Sequence, residues 1–148
     1  MALADNKKAH FNYDILEKYE AGIELLGFEV KSIKAGHASL DGAYAIIRGG
    51  ELYILGSKVP PYQAGNTPKD YDPERLRRLL LTKAEIRKLN DKTENSGLTI
   101  VPISMYNKGG KIKVELALAK GKKKFDKRET IKKRETDREM RRTLKTKE

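Results

Sequence analysis

Two stretches constrain this chain more than any others: IIRGGELYIL (46–55) and MYNKGGKIKVEL (105–116). Each sets β-rich, alternating residues on both sides of a Gly-Gly pair. Adjacent glycines take the positive φ values that a tight hairpin turn demands, at no steric cost. Each stretch therefore predicts an antiparallel hairpin, one over Ala43–Arg48 and Glu51–Leu55, the other over two longer strands around NKGG. In the second, Ile112, Val114, Leu116 and Leu118 alternate with Lys111, Lys113, Glu115 and Ala117, so Lys111 and Lys113 are expected to point outward.

The remaining elements follow from spacing and punctuation. NYDILEKYEAG predicts a short helix capped by Asn12, with Ile15, Leu16 and Tyr19 on one face and Gly22 at its end. From Ile23 to Ile33 the alternation predicts a half-buried strand, with Gly27 at a bulge or barrel corner. PPYQAGNTPKDYD reads as a surface loop. DPERLRRLLLTKAEIRKLND predicts two helices: one from the Asp72-Pro73 cap to about Leu81, the next from a T-x-x-E capping box at Thr82 and Glu85 to about Leu89. At least five strands, two helical pieces and many glycine turns indicate a mainly β fold with peripheral helices. A small OB-fold-like β-barrel, an architecture that commonly binds oligonucleotides, is the first choice.

The last 28 residues cannot join such a core. Residues 121–148 hold 13 Lys or Arg, 6 Asp or Glu, and only Phe125, Ile131, Met140 and Leu144 as sizeable apolar side chains. The expected organisation is a barrel domain over 1–120 and a basic tail over 121–148, disordered when free. Opposite charges four apart, Glu129 with Lys133 and Asp137 with Arg141, would support a helix once a partner arrives. The net charge is +11, and the tail carries most of it. That imbalance points to a polyanion, nucleic acid before anionic membrane. A solvated tail without a partner is the alternative.

Catalytic chemistry has little to build on. With no cysteine, disulfides and thiolate metal sites are excluded. His10 and His37 fit no zinc-ligand spacing and are expected in solvent. There is no nucleophile motif and no complete phosphate loop; Asp41 and Asp72 have sufficient turn or cap readings. No metal, cofactor or enzymatic activity is expected. The leader MALADNKKAHFNYD lacks a signal peptide's apolar run, and no run is long enough to span a bilayer, so a cytoplasmic protein is expected; a monomer is preferred.

In order along the chain, NKKAHFNYDI, YEAGIELLGFEVKSIKAGHASLDGAYA, RRLLLTKAEI and LALAKGKKKFDKRETIKKRE resemble the SsrA-binding protein (small protein B) family. The blocks span nearly the whole chain. The resemblance implies an OB-type barrel that binds the tRNA-like domain of transfer-messenger RNA. It also implies a tail that enters the empty decoding centre and mRNA channel of the small ribosomal subunit, where small-subunit rRNA is its partner, during trans-translation.

Residue by residue, the resemblance makes Glu20, Leu80, Thr82 and Lys113 the RNA-binding positions. Glu20 can equally be a surface carboxylate, Leu80 a core residue and Lys113 an ordinary exposed lysine. Thr82 stands where relatives often have Asn or His, and its capping role competes. Asp126, Lys127 and Arg128 match the family's D-K-R, tied to function on the ribosome. Phe125 beside them holds an aromatic position, and a ring stacked on a base contributes about 1–3 kcal/mol. Met140 and Leu144 would share one face of a tail helix. In the leader, Phe11 takes the usual His place, so His10 is assigned no contact. The competing reading is a general RNA- or ribosome-binding OB protein with a nonspecific basic tail.

Overall fold

The computed structural model describes residues 2–63, 65 and 67–121. The expectations for Phe125, Asp126, Lys127, Arg128, Met140 and Leu144 lie outside the described residues. Among those residues the chain forms β1 (Ala2–Asp5), α1 (Ala9–Asn12), β2 (Tyr13–Ile23), α2 (Gly27–Lys34), β3 (Tyr44–Arg48), β4 (Glu51–Leu55), β5 (Arg77–Leu80), α3 (Lys83–Ser96), β6 (Thr99–Lys108) and β7 (Lys111–Gly121).

Both glycine-pair hairpins form as expected. Gly49 and Gly50 take φ of 61° and 77°, Gly109 and Gly110 of 59° and 79°, which side chains with a Cβ rarely adopt. The turns set Arg48 opposite Glu51 and Lys108 opposite Lys111. All strand pairs are antiparallel, in the order β1-β6-β3-β4-β5-β2-β7, and β6 also pairs with β7. That last pairing closes six strands into the expected barrel. β3 meets β6 only at Ala45–Ile100; β1 takes over the same edge at Ser104–Tyr106.

Leu40, Leu52, Ile54, Leu79, Met105, Val114 and Leu116 fill the barrel, joined by Ile33 of α2 and by Ile86 and Leu89 of α3. A smaller cluster lies outside it, where Ala9 of α1 covers Val101, Ile103, Ala117 and Ala119. Lys111 is exposed and Lys113 half-buried, while Ile112 and Val114 are buried. Ala117 follows the outward alternation yet is fully buried, because α1 shields that stretch of the barrel's outer face.

Three expected elements differ, each for an identifiable reason. The helix expected over residues 12–22 is strand β2, paired with β7 from Tyr13–Gly121 to Gly22–Lys113. Tyr13 and Ile15 pack against the outer cluster, and beyond the register shift the inner series is Glu17, Tyr19, Ala21 and Ile23, so the shift and Glu17 together conceal the period of two. That carboxylate is tolerated because Lys92 Nζ (2.6 Å) and the Tyr19 hydroxyl (2.5 Å) both donate to it. Leu16 falls at the register shift between Ile15 and Glu17 and is exposed.

The strand expected over 23–33 becomes helix α2 from Gly27. Its inward face is Glu29, Ser32 and Ile33, helical spacing that a buried carboxylate disguises. The first helix of the 72–89 segment is replaced by a turn and strand β5. The Asp72 carboxylate accepts the Glu74 N–H at 2.9 Å, and its carbonyl accepts the Arg75 N–H at 3.1 Å. The chain then extends, with Arg77 and Leu79 inward and Leu80 outward. The second helix starts as expected: Thr82 Oγ1 accepts the Glu85 N–H at 3.2 Å. It runs to Ser96, beyond Leu89, and ends at Gly97 with φ 63°.

Candidate nucleic-acid interface

The corrected strands bring distant sequence blocks together. Leu80 of β5 lies opposite Gly22 of β2, Gly22 opposite Lys113 of β7, and Lys113 opposite Tyr106 of β6. Residues directly opposite one another in a sheet project to the same face. The four positions therefore form one row across four strands, on the barrel's outer side. Gly22, expected to end a helix, instead allows a close approach. A Cβ there would sit 3.3 Å from Leu80 Cβ, so Leu80 lies across the strand and closes the row.

Leu80 is 43% exposed. A leucine on that face is not a core residue, which removes the core alternative for it. With Ile23, Leu25 and Val30 it makes the apolar wall of an open groove of about 310 Å³, whose other wall is Lys111–Lys113. Among the described residues, no carboxylate pairs with Lys111 or Lys113. An apolar wall facing two unpaired cations suits a ligand with flat or apolar surface and anionic groups, as nucleotides have.

Glu20 stands two residues along β2 from Gly22, exposed beside this groove. The Tyr106 hydroxyl donates to it at 2.5 Å and Lys108 Nζ at 3.2 Å. These two donors hold the Glu20 carboxyl below the usual carboxylate range, with Lys113 adding a weaker pull. The Tyr106 phenol is pushed up to about 12, first by burial and then by the Glu20 carboxylate. Glu20 is therefore ionised at neutral pH, an acceptor for base N–H or ribose 2′-OH groups. Tyr106 and Lys108 were not singled out in the sequence. The signal was present in Y-x-K-G-G-K-x-K, whose alternation places four polar or aromatic residues on one face of the hairpin end.

Thr82 is exposed two residues beyond Leu80, but its hydroxyl is engaged. It donates to Glu85 Oε1 at 2.9 Å and accepts the Glu85 N–H. The geometry gives it to the capping box. His10 and His37 are exposed. Among the described residues no group of three or more His, Cys, Asp or Glu is placed to hold a metal ion, and no helix is long and apolar enough to cross a membrane.

Missed altogether in the sequence was a buried ionic network behind the groove. Glu29 of α2 and Arg77 of β5 are both fully buried. Arg77 donates to Glu29 through Nε at 2.9 Å and Nη2 at 2.6 Å. Its remaining donors meet the Ser57 carbonyl and hydroxyl, the Arg75 and Pro73 carbonyls and the Tyr71 hydroxyl. Arg75 also donates to both Glu29 oxygens. The Tyr71 hydroxyl lies 2.9 Å from Glu29 and 2.8 Å from the Val59 carbonyl, and its ring packs edge-on against Phe28. Burial alone would raise the Glu29 carboxyl. Arg75, the Leu26 N–H and Arg77 outweigh it and hold the group below its ordinary value.

Comparison with known proteins agrees with this architecture. The family model described as "SmpB protein" matches residues 3–146. The SsrA-binding protein of Trichodesmium erythraeum is 52% identical over 143 residues, covering 97% of this chain and 92% of its own. That of Synechocystis sp. is 50% identical, with 97% and 93% covered, and that of Leptothrix cholodnii 46%, with 99% and 96%. A solved structure described as "tmRNA-SmpB: a journey to the center of the bacterial ribosome" contains a chain that superposes with a TM-score of 0.66. The two are 45% identical, over 81% of this chain and 84% of that one. With nearly its full length matched and its barrel superposed, the chain belongs to the SmpB protein family.

Proposed function

We propose that this protein is an RNA-binding adaptor, not an enzyme, acting in the cytoplasm. It holds the tRNA-like domain of transfer-messenger RNA and delivers it to stalled ribosomes for trans-translation. The observation that carries the site is a convergence. Glu20, Leu80 and Lys113, from three strands far apart in the sequence, share one outward surface around Gly22. Lys113 and Lys111 serve phosphates, Leu80 and the apolar wall take a base or sugar face, and Glu20 accepts hydrogen bonds that lysines cannot. Thr82 contributes by fixing the start of α3 beside Leu80.

The tail completes the adaptor. Phe125 through Arg128 make the decoding-centre contacts, and Met140 and Leu144 share a face when the segment engages the mRNA channel as a helix. The test separates the two parts. Deletion of residues 121–148 leaves affinity for the tRNA-like domain largely intact and abolishes peptide tagging on stalled ribosomes. Loss of RNA binding alone would contradict this division of labour. Scrambling the tail at constant composition abolishes tagging as well. Unimpaired tagging by the scrambled tail would favour a nonspecific basic segment.

A further inference from the structure

We infer that the buried Glu29–Arg77 pair is a positioning device for the RNA groove, controlling RNA affinity without touching RNA. The inference rests on the reading of the Leu80–Lys113 groove as the RNA site.

The apolar wall comes from separate pieces of chain. Leu25 lies just before α2, Val30 lies on it, and Leu80 lies on β5. α2 has eight residues, too short to hold itself in one place by its own backbone bonds. Ile33 anchors the last turn of the helix in the barrel core, but at the first turn Leu26 is exposed and Val30 only half-buried, so neither gives the helix start a deep anchor. Glu29 supplies that anchor. It sits between them on the inward face, and its Oε1 accepts the Leu26 N–H at 2.7 Å, capping the helix. The same carboxylate meets the Arg77 fork, three residues before Leu80 on the backbone of β5. Beside Arg75 on the same carboxylate and Ile33 on the same helix face, this pair thus sets where the helix starts and how far its first turn stands from β5.

Apolar packing at this point would not do the same. Two well-packed apolar side chains can match a buried ion pair in stability, but their attraction has no direction. Arg77 sets Nε and Nη2 on the single oxygen Oε2 while its other N–H groups hold the Ser57, Arg75 and Pro73 carbonyls, so the guanidinium plane fixes orientation as well as distance. A rotation of α2 by one residue would carry Val30 out of the groove, and the wall with it.

The experiment compares full-length wild type with Glu29→Leu/Arg77→Met, using the isolated tRNA-like domain RNA as probe. Fold is followed by circular dichroism and thermal melting. The expected result is a folded barrel whose RNA affinity falls about tenfold. The slope of log K against log salt stays unchanged because the lysine–phosphate contacts remain. Amide hydrogen exchange over residues 25–30 accelerates. A folded double variant with wild-type affinity overturns the inference. Arg77→Lys keeps the charge and loses the fork, so it serves if the double variant does not fold. It is expected to lose affinity about threefold with faster exchange at the same amides, and unchanged affinity there is equally decisive against the inference. Lys113→Ala and Leu80→Ala run in parallel. If both weaken binding while the network variants do not, only the positioning role fails. If neither weakens it, the groove reading itself fails.

Discussion

Two carboxylates in this barrel have similar partners and different settings. Glu29 is fully buried and meets a tyrosine and two arginines. Glu20 is exposed and meets a tyrosine and a lysine. In the buried region the planar guanidinium fork satisfies several acceptors at once and has no water to compete with. At the surface, Lys108 is a single point charge, readily exchanged for solvent or for a ligand. The first arrangement fixes structure; the second leaves a carboxylate ionised, oriented and open to exchange. One kind of ion pair thus serves the fold behind the groove and recognition in front of it.

The strongest way to break this contrast is to remove one buried partner. Glu29→Leu alone strands the buried Arg77 charge and is expected to cost about 3–5 kcal/mol in urea unfolding, whereas Arg77→Met leaves Glu29 still held by Arg75 and should cost less. A loss below about 1 kcal/mol would mean that water reaches the network. Glu20→Gln, by contrast, should leave the unfolding midpoint unchanged.

Acid titration sharpens the contrast next. The folded-state pKa of Glu29 lies below its unfolded value. Its contribution is therefore fully present above the unfolded carboxylate range, about pH 4.3, and is lost as pH falls through the folded value. Wild-type stability should fall steeply below about pH 4, and Glu29→Leu/Arg77→Met should show a shallower decline. Parallel curves for the two proteins would remove Glu29 from the account of acid stability.

On the recognition side the effects are smaller and confined to binding. Lys113→Ala and Leu80→Ala should each weaken RNA binding about five- to tenfold while changing stability by less than about 0.5 kcal/mol, as surface substitutions do. Lys113→Ala alone should also lower the salt slope by about one. The smallest effect is spectroscopic. In Glu20→Gln the carboxylate no longer disfavours the phenolate, so the Tyr106 titration should move down from about 12. An unmoved titration would leave burial and the Glu115 carboxylate as its causes.

The parts legible in the sequence were those governed by local chemistry. Glycine pairs with positive φ announced both hairpins, and Thr82 with Glu85 announced the start of α3. The misread parts share one feature: a charged residue in the inward-facing series, half-exposed for Glu17 and fully buried for Glu29 and Arg77. Glu17 hid the strand period of β2, Glu29 hid the helical face of α2, and Arg77 made β5 resemble the polar side of a helix. A buried charge becomes intelligible only with its partner. Glu29 and Arg77 lie 48 residues apart in the chain, beyond any local pattern. The site suffered in consequence. Its residues came from family resemblance, but the row through Leu80, Gly22 and Lys113 needs both β2 and β5 as strands.

The central claim is that the groove around Gly22 is the RNA-binding surface. Its most direct test is a titration of the isotopically labelled chain with the tRNA-like domain RNA, followed by backbone amide shifts. The account predicts that the largest changes map to residues 20–25, 80–82 and 106–113. Changes concentrated instead at the opposite end of β2, around Asn6–Tyr13 and Asp41–Tyr44, with the Gly22 row unmoved, would contradict it.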